Sequence, residues 1–317
     1  MKTLYPEIEP YAVHAVEVDD VHSIYVEECG NPAGIPVVFL HGGPASGCKL
    51  HHRRFFNPEV YRIILFDQRG CGRSKPHGEL ENNTTQALIM DIESLRIKFG
   101  IDKWLLFGGS WGATLSLLYA QAFPNRVSAM ILRGIFLARR RDFEWFLLDG
   151  ANRIYPEQWS RLVNTIPVLD RQDLLSALNR CLWGEDELAQ LRIAKEWDAW
   201  GGQVALGSGY NSSETAGHVS PEILRQVRVE MHFAKHQYFI EENQIMASAQ
   251  QIPHVPTIIL HGRNDLVCPL ESGYEVHQKL SESEFVVLPD SGHVAHGDEM
   301  VDALVDATDR IAPEIST

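Results

Sequence analysis

Six short stretches of this 317-residue chain are almost wholly apolar and stop abruptly: residues 37–40, 62–66, 104–107, 130–132, 257–260 and 285–288. They are too short to be helices that bury a face, and they lack the polar alternation of a strand with one wet side. Rich in Val, Ile and Leu, they fit strands covered on both faces, as in a parallel sheet packed between helices. Each runs into a loop bearing polar residues or glycine, for example His41-Gly42-Gly43-Pro44, Asp67-Gln68-Arg69-Gly70, Gly108-Gly109 and His261-Gly262. Residues 85–99, 111–123, 271–280 and 301–311 are predicted crossover helices. Residues 12–18 and 23–28 alternate around Asp19-Asp20 and predict an antiparallel hairpin. The pattern implies a layered α/β domain with its functional residues where strands end and helices begin.

The rhythm breaks between Leu137 and Ile252. That stretch has no convincing strand and holds five of the seven tryptophans, at 145, 159, 183, 197 and 200. It reads as a helical insertion, residues 138–252, in a core made of residues 1–137 and 253–317. An insertion at that point would lie over the carboxyl edge of the sheet as a cap or lid. Its tryptophans either form its own core or line a pocket. The Gly/Ser-rich residues 201–217 are expected to form a mobile loop, and Gly201 to end a helix.

Acidic residues outnumber basic ones, 42 to 28, for a formal net charge of −14. This argues against a nucleic-acid partner, whose phosphates need neutralising, and against an anionic membrane surface. Residues 104–125 carry no charge, but glycine, serine, threonine and glutamine interrupt them, so no transmembrane helix is expected. No signal peptide is read at the N-terminus. Five scattered cysteines without a Cys-x-x-Cys motif suggest reduced thiols and a cytoplasmic protein.

Gly108-Gly109-Ser110-Trp111-Gly112 fits G-x-S-x-G and stands between a predicted strand and a predicted helix, the context of a nucleophile elbow. A serine hydroxyl needs a base, and with an elbow the order along the chain is Ser, then Asp or Glu, then His. Asp265 and His293 follow the strands at 257–260 and 285–288 in that order; Asp290 is the rival acid and His296 the rival base. The oxyanion of an acyl-transfer intermediate needs donors. The backbone N–H groups of Gly43 and of Trp111 are the candidates. His232 and His236 are spaced for one helix face, but no third ligand accompanies them and no metal is expected. Without a Walker loop or G-x-G-x-x-G, no nucleotide cofactor is implied.

With these motifs in place, the chain from about Tyr5 onward resembles the prolyl aminopeptidase (proline iminopeptidase) family of α/β-hydrolases. The resemblance lies in His41-Gly42-Gly43-Pro44, Phe66-Asp67-Gln68-Arg69-Gly70-Cys71-Gly72-Arg73-Ser74, Asn82-Asn83-Thr84-Thr85, the elbow, and Leu132-Arg133-Gly134-Ile135-Phe136. It implies an α/β-hydrolase fold with a helical cap, a serine hydrolase without a cofactor, and removal of an N-terminal proline from a peptide. The substrate would be a peptide or small molecule with a free N-terminus. The implied substrate-binding positions are Glu230, Arg133, Phe136, Phe146 and Cys268. In the family two cap glutamates hold the substrate's amino group. One matches Glu230; the other follows a Trp-x-x-Trp pattern, here Trp197-Asp198-Ala199-Trp200, and the next residue is Gly201. Ala45 stands where the family usually has glycine, and Phe146 where a tyrosine is common. A different small ester or amide is the alternative substrate class, and a non-catalytic binding module the remaining one. Weaker discrimination for a free N-terminus is expected from Gly201.

Overall fold

Each of the six apolar runs lies in a strand of one eight-stranded sheet in the computed structural model, which describes residues 1–211 and 220–316. The strands are β1 (Ala12–Glu17), β2 (Ser23–Gly30), β3 (Ile35–Leu40), β4 (Tyr61–Phe66), β5 (Trp104–Gly109), β6 (Val127–Arg133), β7 (Thr257–Gly262) and β8 (Ser283–Leu288). Their spatial order is β1-β2-β4-β3-β5-β6-β7-β8. The first two are the expected antiparallel hairpin, β2 runs antiparallel to β4, and every other pair is parallel. β5 and β7 are buried at every position, Thr257 and His261 of β7 included, while β8, at the edge, is only partly covered.

Alternate residues of these strands serve two separate cores. Val38, Leu40, Ile64, Phe66 and Leu106 pack against α1 (Thr85–Lys98) and α2 (Trp111–Ala122), through Leu88, Ile92, Leu115 and Leu118. Val37, Phe39, Ile63, Leu65 and Phe107 face the other side and meet Leu304, Val305 and Ile311 of the last helix. Because β4 lies on one side of β3 and β5 on the other, the chain reverses direction across the sheet at β3. This switch point brings the carboxyl ends of β3 and β5 together and leaves a crevice between the loops that follow them.

Between β6 and β7 the described residues form helices and three-ten turns and no strand. The helices are α3 (Arg140–Leu147), α4 (Ala151–Ile154), α5 (Pro156–Val163), α6 (Leu174–Leu182), α7 (Glu187–Leu206), α8 (Pro221–Lys235) and α9 (Gln244–Ala247). Beyond β7 come α10 (Leu270–Lys279) and α11 (Asp298–Ile315). The helical segment has an apolar cluster of its own, with Leu147, Leu162, Leu178, Trp197, Trp200, Val227 and Met231.

The expectation that Gly201 ends a helix and opens a loop is corrected here. α7 continues through Gly201 and Gly202 to Leu206, then stops at Gly207 in the left-handed region (φ 58°). Trp197, Trp200 and Val204 are buried on one face of α7. Their packing outweighs the roughly 1 kcal/mol that a glycine costs inside a helix. Of the rest of the expected loop, Gly207–Gly209 form a three-ten turn and residues 212–217 lie outside the described residues.

Candidate active site

Ser110 sits between β5 and α2 with φ 57° and ψ −123°, a strained conformation for a residue with a side chain. The turn is tight because its glycines are. A Cβ on Gly112 would lie 1.8 Å from the Leu40 carbonyl oxygen, and one on Gly108 2.3 Å from the Gly112 oxygen. Only glycine lets β3, β5 and α2 approach so closely. The Ser110 N–H donates to the Arg133 carbonyl (2.9 Å), which fixes the turn against the end of β6.

His293 reaches this hydroxyl from the loop after β8. Its Nε2 is 3.1 Å from Ser110 Oγ, and its Nδ1 is 2.8 and 3.0 Å from the two Asp265 carboxylate oxygens. Asp265 also accepts from the N–H groups of Val267 (3.0 Å) and Cys268 (2.8 Å). Burial pushes its carboxyl upward, but the charge and hydrogen bond of His293, with His261 behind, hold it below the usual carboxylate range. An ionised carboxylate there keeps a proton on Nδ1 and leaves Nε2 to accept one from the hydroxyl. The rivals do not join this chain of hydrogen bonds. Asp290 and His296 lie on the exposed flanks of the same loop, in a neighbouring cleft.

Gly43 and Pro44 border the cavity above Ser110. The N–H of Gly43 and that of Trp111, first residue of α2, have no acceptor among the described residues. The loop is braced from below. The Gln68 N–H donates to His41 Nε2 (3.0 Å), the Gln68 side chain donates to the His41 carbonyl (2.9 Å), and the Trp111 indole donates to Gln68 Oε1 (3.1 Å). These supporting roles of His41 and Gln68 were not read from the sequence, although both residues stand in its motifs.

Ser110 opens onto a cavity of about 370 Å³ walled by Phe136, Phe143, Phe146, Trp197 and Tyr238, with Glu230 and Asp198 among its few polar groups. Glu230 accepts from the Trp197 indole (2.7 Å) and from Gln226 (2.9 Å), four residues earlier on α8. Burial pushes its carboxyl up to about 7, against the pull of those two donors and with the help of nearby Asp198. Asp198 is itself raised by burial and has no hydrogen-bond partner among the described residues. Tyr238 packs edge-on against Phe136 (5.0 Å between centroids) and beside Trp111 (5.6 Å).

The alpha/beta hydrolase fold family matches residues 35–299. A proline iminopeptidase of Xylella fastidiosa is 46% identical over 312 residues, covering 98% of this chain and 99% of its own. The proline iminopeptidase of Xanthomonas citri is 46% identical over 314 residues, covering 98% and 100%. This chain belongs to the proline iminopeptidase family of α/β-hydrolases. The fold alone extends further: a proline iminopeptidase-related protein of Thermus thermophilus, 22% identical, superposes with a TM-score of 0.59 over 96% of this chain and 98% of that one.

Of the five positions that the proline iminopeptidase resemblance pointed to, Glu230, Phe136, Phe146 and Cys268 line the cavity. Arg133 does not. Its guanidinium lies against Gly109 and donates to the carbonyl oxygen of His293, so it braces the histidine loop from behind. It ends β6 beside β5, and that register, rather than the cavity, fixes where it points. Ala45, where the family usually has glycine, adopts φ 79°, the region glycine favours. Trp197 and Asp198, on the face of α7 that the Trp-x-x-Trp pattern marks, also line the cavity, while Gln226 and Tyr238 were not read as site residues. The four-residue spacing of Gln226 and Glu230 was the one local signal available. His232 and His236 stand apart from the cavity, donating to the carbonyls of Asn83 (3.0 Å) and His232 (2.8 Å). Among the described residues, no cluster of three or more His, Cys, Asp or Glu side chains could hold a metal, and no helix is long and apolar enough to cross a membrane.

Proposed function

We propose that this protein is a serine-type prolyl aminopeptidase with Ser110 as nucleophile, His293 as base and acid, and Asp265 as the group that orients His293. The observation that carries the reading is the unbroken hydrogen-bonded chain from Asp265 through His293 to Ser110, opening on an apolar cavity with Glu230 in its wall. Ser110 Oγ attacks the carbonyl carbon of the N-terminal proline, and its proton passes to His293 Nε2. The oxyanion is held by the N–H groups of Gly43 and Trp111. The C–N bond breaks, His293 gives its proton to the leaving nitrogen, and a prolyl ester of Ser110 remains. Water, losing a proton to His293, then cleaves the ester, releases proline and restores the serine. Phe136, Phe146 and Cys268 enclose the pyrrolidine ring, and Glu230, with Asp198 beside it, accepts the substrate ammonium. Residues 138–252 act as the lid that carries these two carboxylates. The five cysteines are all unpaired, which supports the expected cytoplasmic setting.

A second reading, hydrolysis of other small esters or amides, has one observation in its favour. A Cβ on Gly201 would meet nothing within 4 Å, so the cavity has room beside Asp198 for a larger acyl group. The two readings part on three substrates: proline p-nitroanilide, its N-acetylated form and a simple p-nitrophenyl ester. A prolyl aminopeptidase turns over the first far better than the second, whereas comparable turnover of all three favours the second reading. Ser110→Ala, still folded, is expected to lose at least about a thousandfold in kcat and all fluorophosphonate labelling. Persistent labelling of that variant overturns the assignment of Ser110.

A further inference from the structure

We infer that the cleft between the His293 loop and the end of α7 is the site that receives the departing peptide chain, and that it favours cationic chains. The cleft has a volume of about 670 Å³, in the range of cavities that enclose small-molecule ligands. One wall is the loop from Asp290 to Glu299 with Arg263 and Asn264; the other is Ala205 to Ser208 with Ile154 and Tyr155. It shares Ala205, Leu206 and Val294 with the cavity at Ser110, so the two spaces meet beside His293.

The inference rests on the proposed aminopeptidase reading and extends it to the other half of the substrate. When the C–N bond breaks, the leaving nitrogen takes its proton from His293 Nε2 and so must lie on the histidine side of Ser110. The proline ring and its amine occupy the cavity toward Glu230. The rest of the chain therefore leaves past Val294, which follows His293 directly. A second side cavity, of about 480 Å³, also adjoins the first, through Phe143, Ala234 and Tyr238. None of its walls comes from the loops that carry Asp265 or His293. A chain entering it would point away from the proton donor.

Charge sets the preference. Asp290 and Asp298 are exposed in the cleft, and Glu299 is anchored there, accepting from the Asp290 N–H (3.1 Å) and the Ser291 hydroxyl (2.5 Å). Arg263 is the one Lys or Arg side chain among the lining residues described. A lysine in the departing chain gains from this surplus, while a glutamate is repelled. Pairs this exposed are each worth only a small factor, and together about threefold to tenfold in kcat/KM at low salt.

The test compares Pro-Ala-Lys-NH2, Pro-Ala-Glu-NH2 and proline p-nitroanilide on the wild type, on Asp290→Asn/Asp298→Asn and on Ser208→Trp. Every ratio is taken within one enzyme form, so a change in basal turnover cancels. The expected lysine-to-glutamate ratio is about threefold to tenfold in the wild type and close to one in the double variant. Ser208→Trp is expected to lower the tripeptide-to-anilide ratio about fivefold or more. A wild-type ratio of one, or a ratio that survives in the double variant, overturns the charge preference. An unchanged tripeptide-to-anilide ratio in Ser208→Trp overturns the placement of the chain. If none of the three proline substrates is cleaved, the aminopeptidase reading itself falls.

Discussion

Glu230 stands in the wall of a mostly apolar cavity, and two donors are aimed at its carboxylate, from Trp197 and Gln226. A buried carboxyl is costly as an anion unless a cation joins it, which is why its pKa is pushed up to about 7. The sign follows directly. Below that pH Glu230 is mostly neutral and cannot pair with an ammonium; above it the anion is available. KM for proline p-nitroanilide, measured relative to a neutral ester to cancel changes at His293, is therefore expected to rise up to roughly tenfold between pH 8 and pH 6. Glu230→Gln is expected to abolish that pH dependence. It should also lower kcat/KM for free-amine substrates by about 30-fold to several thousandfold while sparing esters. Equal losses on both substrate types would make Glu230 a structural residue. Ser110, Asp265 and His293 could be picked out as a candidate triad from the sequence because each follows a strand in a fixed order. The Trp197 donor to Glu230 could not, since it lies on another helix and only folding brings it close.

At the scale of elements, α7 carries two glycines in its interior and still forms, because one of its faces is held by buried aromatic residues. Local propensity predicted a break at Gly201, and tertiary packing overrode it. Gly201→Ala is expected to stabilise the protein by about 0.5–1 kcal/mol, since the new methyl meets nothing within 4 Å and removes the entropy cost of glycine in a helix. The shift in urea midpoint measures this. Gly201→Glu places a carboxylate one helical turn after Asp198, both on the cavity wall. The expected result is a gain of about tenfold or more in kcat/KM for proline p-nitroanilide. Asp198→Asn in the Gly201 background is expected to lower it. If neither change alters the ratio of free-amine to ester turnover, this face of α7 does not meet the substrate amine.

At the scale of the whole molecule, the helical segment is tied to the sheet by contacts far apart in sequence. Arg139, buried at the start of that segment, pairs with Asp142 (2.9 Å) and reaches Glu275 of α10 (2.6 Å), and the Trp145 indole donates to the carbonyl of Leu266, next to Asp265 (2.8 Å). Removing one partner of a buried pair strands the other charge, so Arg139→Met is expected to cost about 3–5 kcal/mol of unfolding free energy. Adding Asp142→Leu should recover much of that loss, as read from denaturant curves of the single and double variants. No recovery would mean that Arg139 acts mainly through Glu275. Such long-range ties divide what the sequence determined from what it left open. The strands, their parallel stacking and the elbow around Ser110 were legible in the sequence as apolar runs that end in glycine-bearing turns. Apolar runs without alternation must be covered on both faces, and a Cβ at position 108 or 112 cannot fit. The sequence also carried the order of Ser110, Asp265 and His293. What only the tertiary structure decided is direction: Arg133 turned behind the His293 loop, Asp198 and Gly201 turned toward the cavity, and a cleft opened beside His293. Those outcomes depend on how α7 packs on α8 and how β6 registers with β5, contacts between distant segments that no local pattern encodes.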